Sequence, residues 1–312
     1  MLEVAIFLEG QNGLNWPRWQ RIAAAVEDLG FFGLFRSDHF TNANPPDKDS
    51  LELWVSLTWL ASHTRRLEFG PLVSPISFRH PSFTARMAAA VDDLSGGRLN
   101  LGLGAGWQER EHNNYGYDLL NINDRFDRFE EGVQVIGHLL QSDQPVDFAG
   151  EFFRIQEGIL LPRPQRPGGP PILIGGNGLK RTLPLTAHYA KEWNALMVTP
   201  DRFAELNQHL DDLLVAEGRK PDEVKRSMMV GCIYADNEDQ LNQRVAERTR
   251  GERNAAELRQ RGVIVGTAQQ MVEQLGHLAE VGLQRVMLQW IDLDDIDGLE
   301  AIAQEVVPQL PR

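Results

Sequence analysis

Eight short apolar runs, each followed by a helical pattern, constrain the fold of this chain more than any other feature. The candidate strands span residues 3–8, 33–37, 67–73, 98–103, 171–175, 193–197, 227–234 and 285–290. Between them lie amphipathic stretches such as 16–29, 51–62, 81–94, 124–140, 201–217 and 268–281. Pro17 and Pro81 sit near helix starts, and Gly30, Gly96 and Gly282 fall just past helix ends. Strands alternating with helices suggest parallel βα units, and eight of them is the number that closes a barrel. A doubly wound open sheet gives the same alternation. A chain of 312 residues fits either two domains or one α/β barrel.

Residues 96–107, GGRLNLGLGAGW, say most about where a site would lie. Leu99, Leu101 and Leu103 alternate with Asn100, Gly102 and Gly104, so a strand here carries leucine on one face and almost nothing on the other. A bare face leaves empty space, or admits another backbone or a ligand. The strand runs into Ala105-Gly106-Trp107 and predicts a cleft at its C-terminal end. One stretch, 141–171, breaks the alternation. Two short strands, 145–148 and 151–155, around Ala149-Gly150 predict a small hairpin before a proline-rich approach to the fifth strand. The charged segment 251–262 reads as a helix end and a mobile loop.

Composition excludes several function classes. A net charge of -13 argues against nucleic-acid binding, which needs a basic face. No apolar run approaches a membrane span, and the N-terminus reads as a strand rather than a signal peptide. A single cysteine, Cys232, excludes an internal disulfide, so a cytoplasmic protein is expected. Any anionic ligand must be held locally, by arginines and backbone dipoles, against the overall field.

Barrel active sites lie at the C-terminal ends of the strands, and polar residues collect there in this chain. The second strand is followed by Asp38-His39, the third by Arg79-His80, the fourth by Trp107, Glu109, Arg110, Glu111 and His112, and the fifth by Gly175-Gly176-Asn177-Gly178. His39 is a candidate general acid or base near pH 7; an imidazole bonded to a neighbouring carbonyl fits the same residues. The Gly175–Gly178 turn, with Lys180 and Arg181 beyond it, suits a phosphate, and equally a tight βα turn with no ligand. Gly102, Gly104 and Gly106 do not form the dinucleotide fingerprint, whose third glycine would fall elsewhere. No metal site is expected: the first strand has no histidine, and Glu109 with His112 supplies only two ligands. No serine occupies a nucleophile elbow.

Together these segments resemble the bacterial luciferase-like monooxygenase superfamily, within it the branch that uses a deazaflavin. The resemblance rests on Ser37-Asp38-His39-Phe40, on Gly70–Pro75 with Phe78-Arg79-His80-Pro81, and on Leu94–Arg98 leading into Leu101–Trp107. Tyr115-Gly116, the Arg125-Phe126 and Arg128-Phe129 pairs, and Pro171–Gly176 extend it. It implies one domain over 1–312, a (β/α)8 TIM barrel with a small insertion hairpin after the fourth βα unit, at about 142–170. It also implies a non-proline cis peptide at Leu72–Val73 behind the cofactor ring, cofactor phosphate near Gly175, Gly176, Asn177 and Gly178, and Ala105, Gly106, Trp107 and Arg110 along its approach. His39 would face the reactive edge, with Asp38 fixing its tautomer.

The activity so implied is hydride transfer between the deazaflavin coenzyme F-420 (F420) and a small organic substrate. Arg79, Arg110 and Lys180 offer positive charge for an oligoglutamate-tailed cofactor. One alternative is an FMN-dependent two-component monooxygenase served by a separate reductase; another is a flavin-binding barrel without turnover. Trp107 stands where the family's sugar-phosphate dehydrogenases carry a catalytic glutamate, which argues against glucose-6-phosphate as substrate. A homodimer through barrel helices is expected, with Trp54 and Trp59 as contact candidates, and a flavin or deazaflavin reductase as a further partner.

Overall fold

The computed structural model describes residues 2–311. In chain order its elements are β1 (Glu3–Leu8), α1 (Trp16–Asp28), β2 (Gly33–Arg36), α2 (Leu53–His63), β3 (Glu68–Pro71), β4 (Ser74–Pro75), α3 (Pro81–Ser95), β5 (Leu101–Gly104), α4 (Glu109–Tyr115) and α5 (Ile122–Gln141). There follow β6 (Val146–Ala149), β7 (Arg154–Gly158), β8 (Ile172–Gly175), α6 (Thr182–Tyr189), β9 (Glu192–Leu196), α7 (Pro200–Ala216), β10 (Lys225–Tyr234) and α8 (Glu238–Thr249). The chain ends with α9 (Ala255–Arg259), β11 (Ile264–Gly266), α10 (Ala268–Glu280), β12 (Arg285–Gln289) and α11 (Ile296–Ala301).

The parallel sheet runs β3-β2-β1-β12-β10-β9-β8-β5-β4. β3 and β4 are one strand interrupted at Leu72–Val73, whose peptide is cis. Below the interruption, Phe69 N–H donates to Arg98 and Asn100 N–H donates to Phe69; above it, Ser74 pairs Leu103. Those contacts bring the two sheet ends together, so the strands form a nearly closed (β/α)8 barrel rather than an open fan. β11 is an additional strand that the sequence pattern did not suggest. It lies beside the end of β10, pairing Cys232 with Ile264.

Two apolar layers hold the ring. Outward-facing strand residues such as Val4, Ile6, Leu34 and Leu101 pack under the helices, with Trp19, Ile22 and Val26 of α1 typical of the helical side. Inside lie Ala5, Phe7, Phe35, Leu173, Met229 and Met287, capped by half-buried Leu72 and Val73. The barrel floor is charged. Buried Arg285 donates to Glu3 at 2.7 Å, Glu68 at 2.7 Å and Glu192 at 3.0 Å, and Lys225 pairs Glu3 at 2.9 Å.

The hairpin lies after the fourth βα unit, but its second strand begins three residues later than the sequence suggested. Glu131 on α5 explains the shift. Its carboxylate accepts from Glu151, Phe152 and Phe153 N–H at 2.7, 2.9 and 3.1 Å, which takes those amides out of strand pairing. The segment 251–262, expected as a helix end and a loop, instead follows the end of α8 and starts a short helix of its own. Asn254 and Glu257 form a reciprocal capping box that starts α9.

Candidate active site

The bare face of β5 does not open onto a cleft, as the glycine pattern suggested. A Cβ at Gly102 would stand 2.0 Å from the Pro71 carbonyl oxygen, and one at Gly104 would stand 2.6 Å from a Val73 methyl. Gly70 and Gly102 instead let β3 and β5 approach closely where the ring shuts. Val73 then lies across Gly102, Gly104 and Gly175, within 3.2 Å of a Cβ placed at either Gly102 or Gly175. The missing side chains are replaced by an aliphatic floor at the mouth.

His39 sits at that mouth, in the loop after β2. Its Nδ1 is 2.7 Å from Glu111 Oε1, and the other Glu111 oxygen accepts from Phe40 N–H at 3.1 Å. Glu111 is fully buried, while the His39 side chain is 14% exposed. A carboxylate only accepts, so the proton resides on Nδ1 and the Nε2 lone pair is left free. Among the described residues Nε2 makes no hydrogen bond. Burial alone would lower the His39 pKa, but the hydrogen bond and charge of Glu111, helped by Glu9 and Asp38, raise it overall.

Asp38 does not orient His39. It accepts from Ser74 Oγ at 2.7 Å and from Arg79 at 2.5 and 3.3 Å, and Arg79 also reaches Glu52 at 3.0 Å. Glu111 takes the place the sequence reading gave to Asp38. The signal for it was weak: Glu111 stands among four charged or polar neighbours, and only the start of α4 at Glu109 turns it inward. Gln108, immediately before that helix, is buried and donates to the Thr41 carbonyl at 3.1 Å, fixing the His39 loop from the other side.

Other candidates divide by their partners. Arg110 is spent on a bidentate pair with Asp47, at 2.7 and 2.6 Å, so it braces the 42–47 loop rather than facing a ligand freely. Gly106 packs on Ser77 and His112, and its φ of +86° suits glycine. His112 is locked between the Gln108 carbonyl at 2.7 Å and Ser77 Oγ at 2.8 Å, and burial lowers its pKa. It does not share a face with exposed Glu109. Trp107 is exposed, with its ring edge-on to His39 at 5.6 Å. Trp54, a candidate for subunit contact, is core.

The turn after β8 is braced against β9. Asn177 spans to β9, donating to the Leu196 carbonyl at 2.7 Å and accepting from its N–H at 2.9 Å. Gly176 has a φ of +126°, and a Cβ at Gly178 would meet Thr182 Oγ1 at 2.8 Å. The N–H groups of Gly178, Leu179 and Lys180 make no hydrogen bond among the described residues. They lie just before the N-terminus of α6, beside Lys180, which has no acidic partner among the described residues. Arg181 is paired with Asp127.

Comparison with known proteins gives this site a context. A family model described as luciferase-like monooxygenase matches residues 2–285. The chain is 26% identical to 4-hydroxyprotoasukamycin monooxygenase of Streptomyces nodosus subsp. asukaensis, over 95% of this chain and 87% of that one. It is 28% identical to F420-dependent glucose-6-phosphate dehydrogenase of Amycolatopsis mediterranei, over 90% and 82% respectively. The fold matches that of an F420-dependent secondary alcohol dehydrogenase with a TM-score of 0.86 at 17% identity, covering 100% of this chain and 99% of the other.

Proposed function

The chain belongs to the luciferase-like monooxygenase family, and from that premise we propose that it transfers a hydride between coenzyme F420 and a small organic substrate. The observation that carries the reading is the buried Glu111 carboxylate against His39 Nδ1, which leaves Nε2 available at the barrel mouth.

The residues present fit the cofactor. Val73 and Leu72 offer a flat aliphatic backing over the interior core. The turn Gly176-Asn177-Gly178 with Lys180 would hold its phosphate, through the N–H groups of Gly178, Leu179 and Lys180, which are unpaired among the described residues, and the Lys180 ammonium. Ala105, Gly106 and Trp107 would border it. When bound, the deazaflavin supplies the hydride acceptor or donor. The protein's own work is proton management. In substrate oxidation the neutral Nε2 takes the hydroxyl proton, and Glu111 stabilises the imidazolium that results. In reduction the imidazolium gives that proton back. Trp107 has no acidic proton to give, so this reading assigns the proton transfer to His39.

A second reading, an FMN-dependent monooxygenase, has one observation in its favour. Arg79 and Arg110 are neutralised, leaving less positive charge for an oligoglutamate tail than the sequence promised. A small-molecule substrate is common to both readings; a second copy of the chain and a reductase are the protein partners proposed. Turnover separates the two. Anaerobic substrate-dependent change in deazaflavin absorbance supports hydride transfer; product formed only with reduced FMN and oxygen overturns it.

A further inference from the structure

A groove of about 790 Å3 opens between α8 and the segment that follows β12. Cys232, Ile233 and Tyr234 at the end of β10 line it, with Trp290 and Ile291 beyond β12. Its volume suits a small molecule. It lies on the β12-β10 side of the ring, separated by β9 from β8 and β5, whose ends border the cofactor in the reading above. The groove shares a wall with the His39 mouth. Glu9, which follows β1, accepts from Gln11 and from Gln289, each at 2.8 Å. Gln289 directly precedes Trp290, and Gln11 accepts from Ser37 Oγ at 2.7 Å in the His39 loop. Asn12 donates to the Ile291 carbonyl at 3.1 Å. His39 and Arg248 both feel the charge of Glu9.

The periodicity of α8 decides which charges in the groove are open. Gln240, Arg244 and Arg248 recur every four residues and share the helix face that lines it. Arg244 is spent: it donates to Asp295 at 2.9 Å and to the Tyr234 carbonyl at 3.2 Å. Arg248, one turn on, is exposed and makes neither hydrogen bond nor ion pair among the described residues. Asp294 is held by Arg18 and Arg21. Glu247, Asp292 and Asp297 line the same groove and form no ion pair among the described residues. One guanidinium and three carboxylates left open together complement a ligand that carries both signs. A phosphate dianion would meet one open cation against three open carboxylates. A hydrocarbon would strip water from all four groups and return nothing.

We propose that this groove binds the zwitterionic end of an amino-acid-like substrate. Its carboxylate pairs with Arg248 and its ammonium lies among Glu247, Asp292 and Asp297, while a hydroxyl or carbonyl on its side chain reaches His39. The place of the reacting group rests on the hydride-transfer reading; the ligand of the groove does not, and is probed without any cofactor.

Two measurements test this. The first is calorimetric titration of the protein without cofactor by 6-hydroxynorleucine, 6-hydroxyhexanoate, 5-aminopentan-1-ol and pentan-1-ol. The zwitterion should bind tightest, and loss of either charged group should weaken binding about three- to tenfold, less at high salt. Arg248→Gln should erase the advantage of the carboxylate and leave 5-aminopentan-1-ol binding unchanged, which separates a lost contact from a lost fold. Equal affinity across the four probes, tightest binding by pentan-1-ol, or a carboxylate advantage that survives Arg248→Gln would overturn the proposal. The second measurement uses the F420-loaded enzyme and the hydroxyl of 6-hydroxynorleucine, whose carbinol carbon gives a hydride to the deazaflavin and whose O–H proton passes to His39 Nε2. Its kcat/KM should be lower in Arg248→Gln by about the factor seen in binding. Binding that depends on Arg248 without hydride exchange would overturn the hydride-transfer reading and keep the groove. Exchange with equal kcat/KM in wild type and Arg248→Gln would keep that reading and overturn the groove.

Discussion

Replacing Glu111 with glutamine tests whether the dyad at the mouth works as a unit. The amide preserves the volume, but its oxygen can accept from only one of the two donors that Glu111 serves, His39 Nδ1 and Phe40 N–H. Its NH2 group then faces the other donor. Leaving one buried donor unsatisfied costs about 1–3 kcal/mol, and the charge-assisted bond to the imidazolium is worth about 1.5–3 kcal/mol. Because that bond is strongest when His39 is protonated, kcat/KM should fall by roughly 10- to 150-fold. The pH dependence carries the sharper signature. The His39 pKa is raised in the folded protein, so the pair stabilises the fold fully below the ordinary histidine value of about 6.5 and loses that contribution as pH rises through the raised value. The gap in unfolding free energy between wild type and Glu111→Gln should accordingly be wide near pH 6 and narrow towards pH 9. NMR of the His39 ring should show the Nδ1–H tautomer in the wild type, and titration at lower pH in the variant. In the oxidative direction the activity limb should move to lower pH with it. An unaltered His39 titration, or a stability gap that grows with pH, would refute the coupling.

Three further outcomes follow from the same geometry. Asp38→Asn should leave the His39 tautomer intact but release Arg79, costing about 3 kcal/mol in urea unfolding, the low end for breaking a buried pair because Glu52 remains. Lys180→Ala should weaken deazaflavin binding about fivefold at low salt, with the difference shrinking at high salt, as titration calorimetry would read it. On the barrel floor, burial raises the Glu192 pKa against the pull of Arg285 and Lys225. A raised acid binds its proton more tightly when folded, so this group's contribution is most favourable near its ordinary value and declines as pH rises through the raised one. Glu192→Gln should therefore flatten the stability profile above about pH 4.5.

Much of this architecture was legible in the chain because strand and helix periods are local properties. The eight main strands and six of the helices between them were read within a few residues, and the barrel followed from their number and the family resemblance. What failed was long-range. The glycine face of β5 signalled close approach, but only the ring closure shows that β3 and Val73 fill it. β7 was displaced by Glu131, a side chain twenty residues upstream of Glu151. β11 is three residues long and is defined by pairing alone. In the site, His39 was visible from its place at a strand end. Glu111 was not, since its contact spans 72 residues. Arginines that looked available in the sequence proved to be paired, because ion pairing across loops leaves no mark on spacing.

Which cofactor the protein binds decides between hydride transfer and oxygen chemistry, and equilibrium titration reads it directly. Purified protein titrated with micromolar oxidised F420 should perturb the deazaflavin absorbance and fluorescence saturably. Val73→Asp should abolish the change, while FMN should bind more weakly. Saturable FMN binding with no response to the deazaflavin would contradict the account.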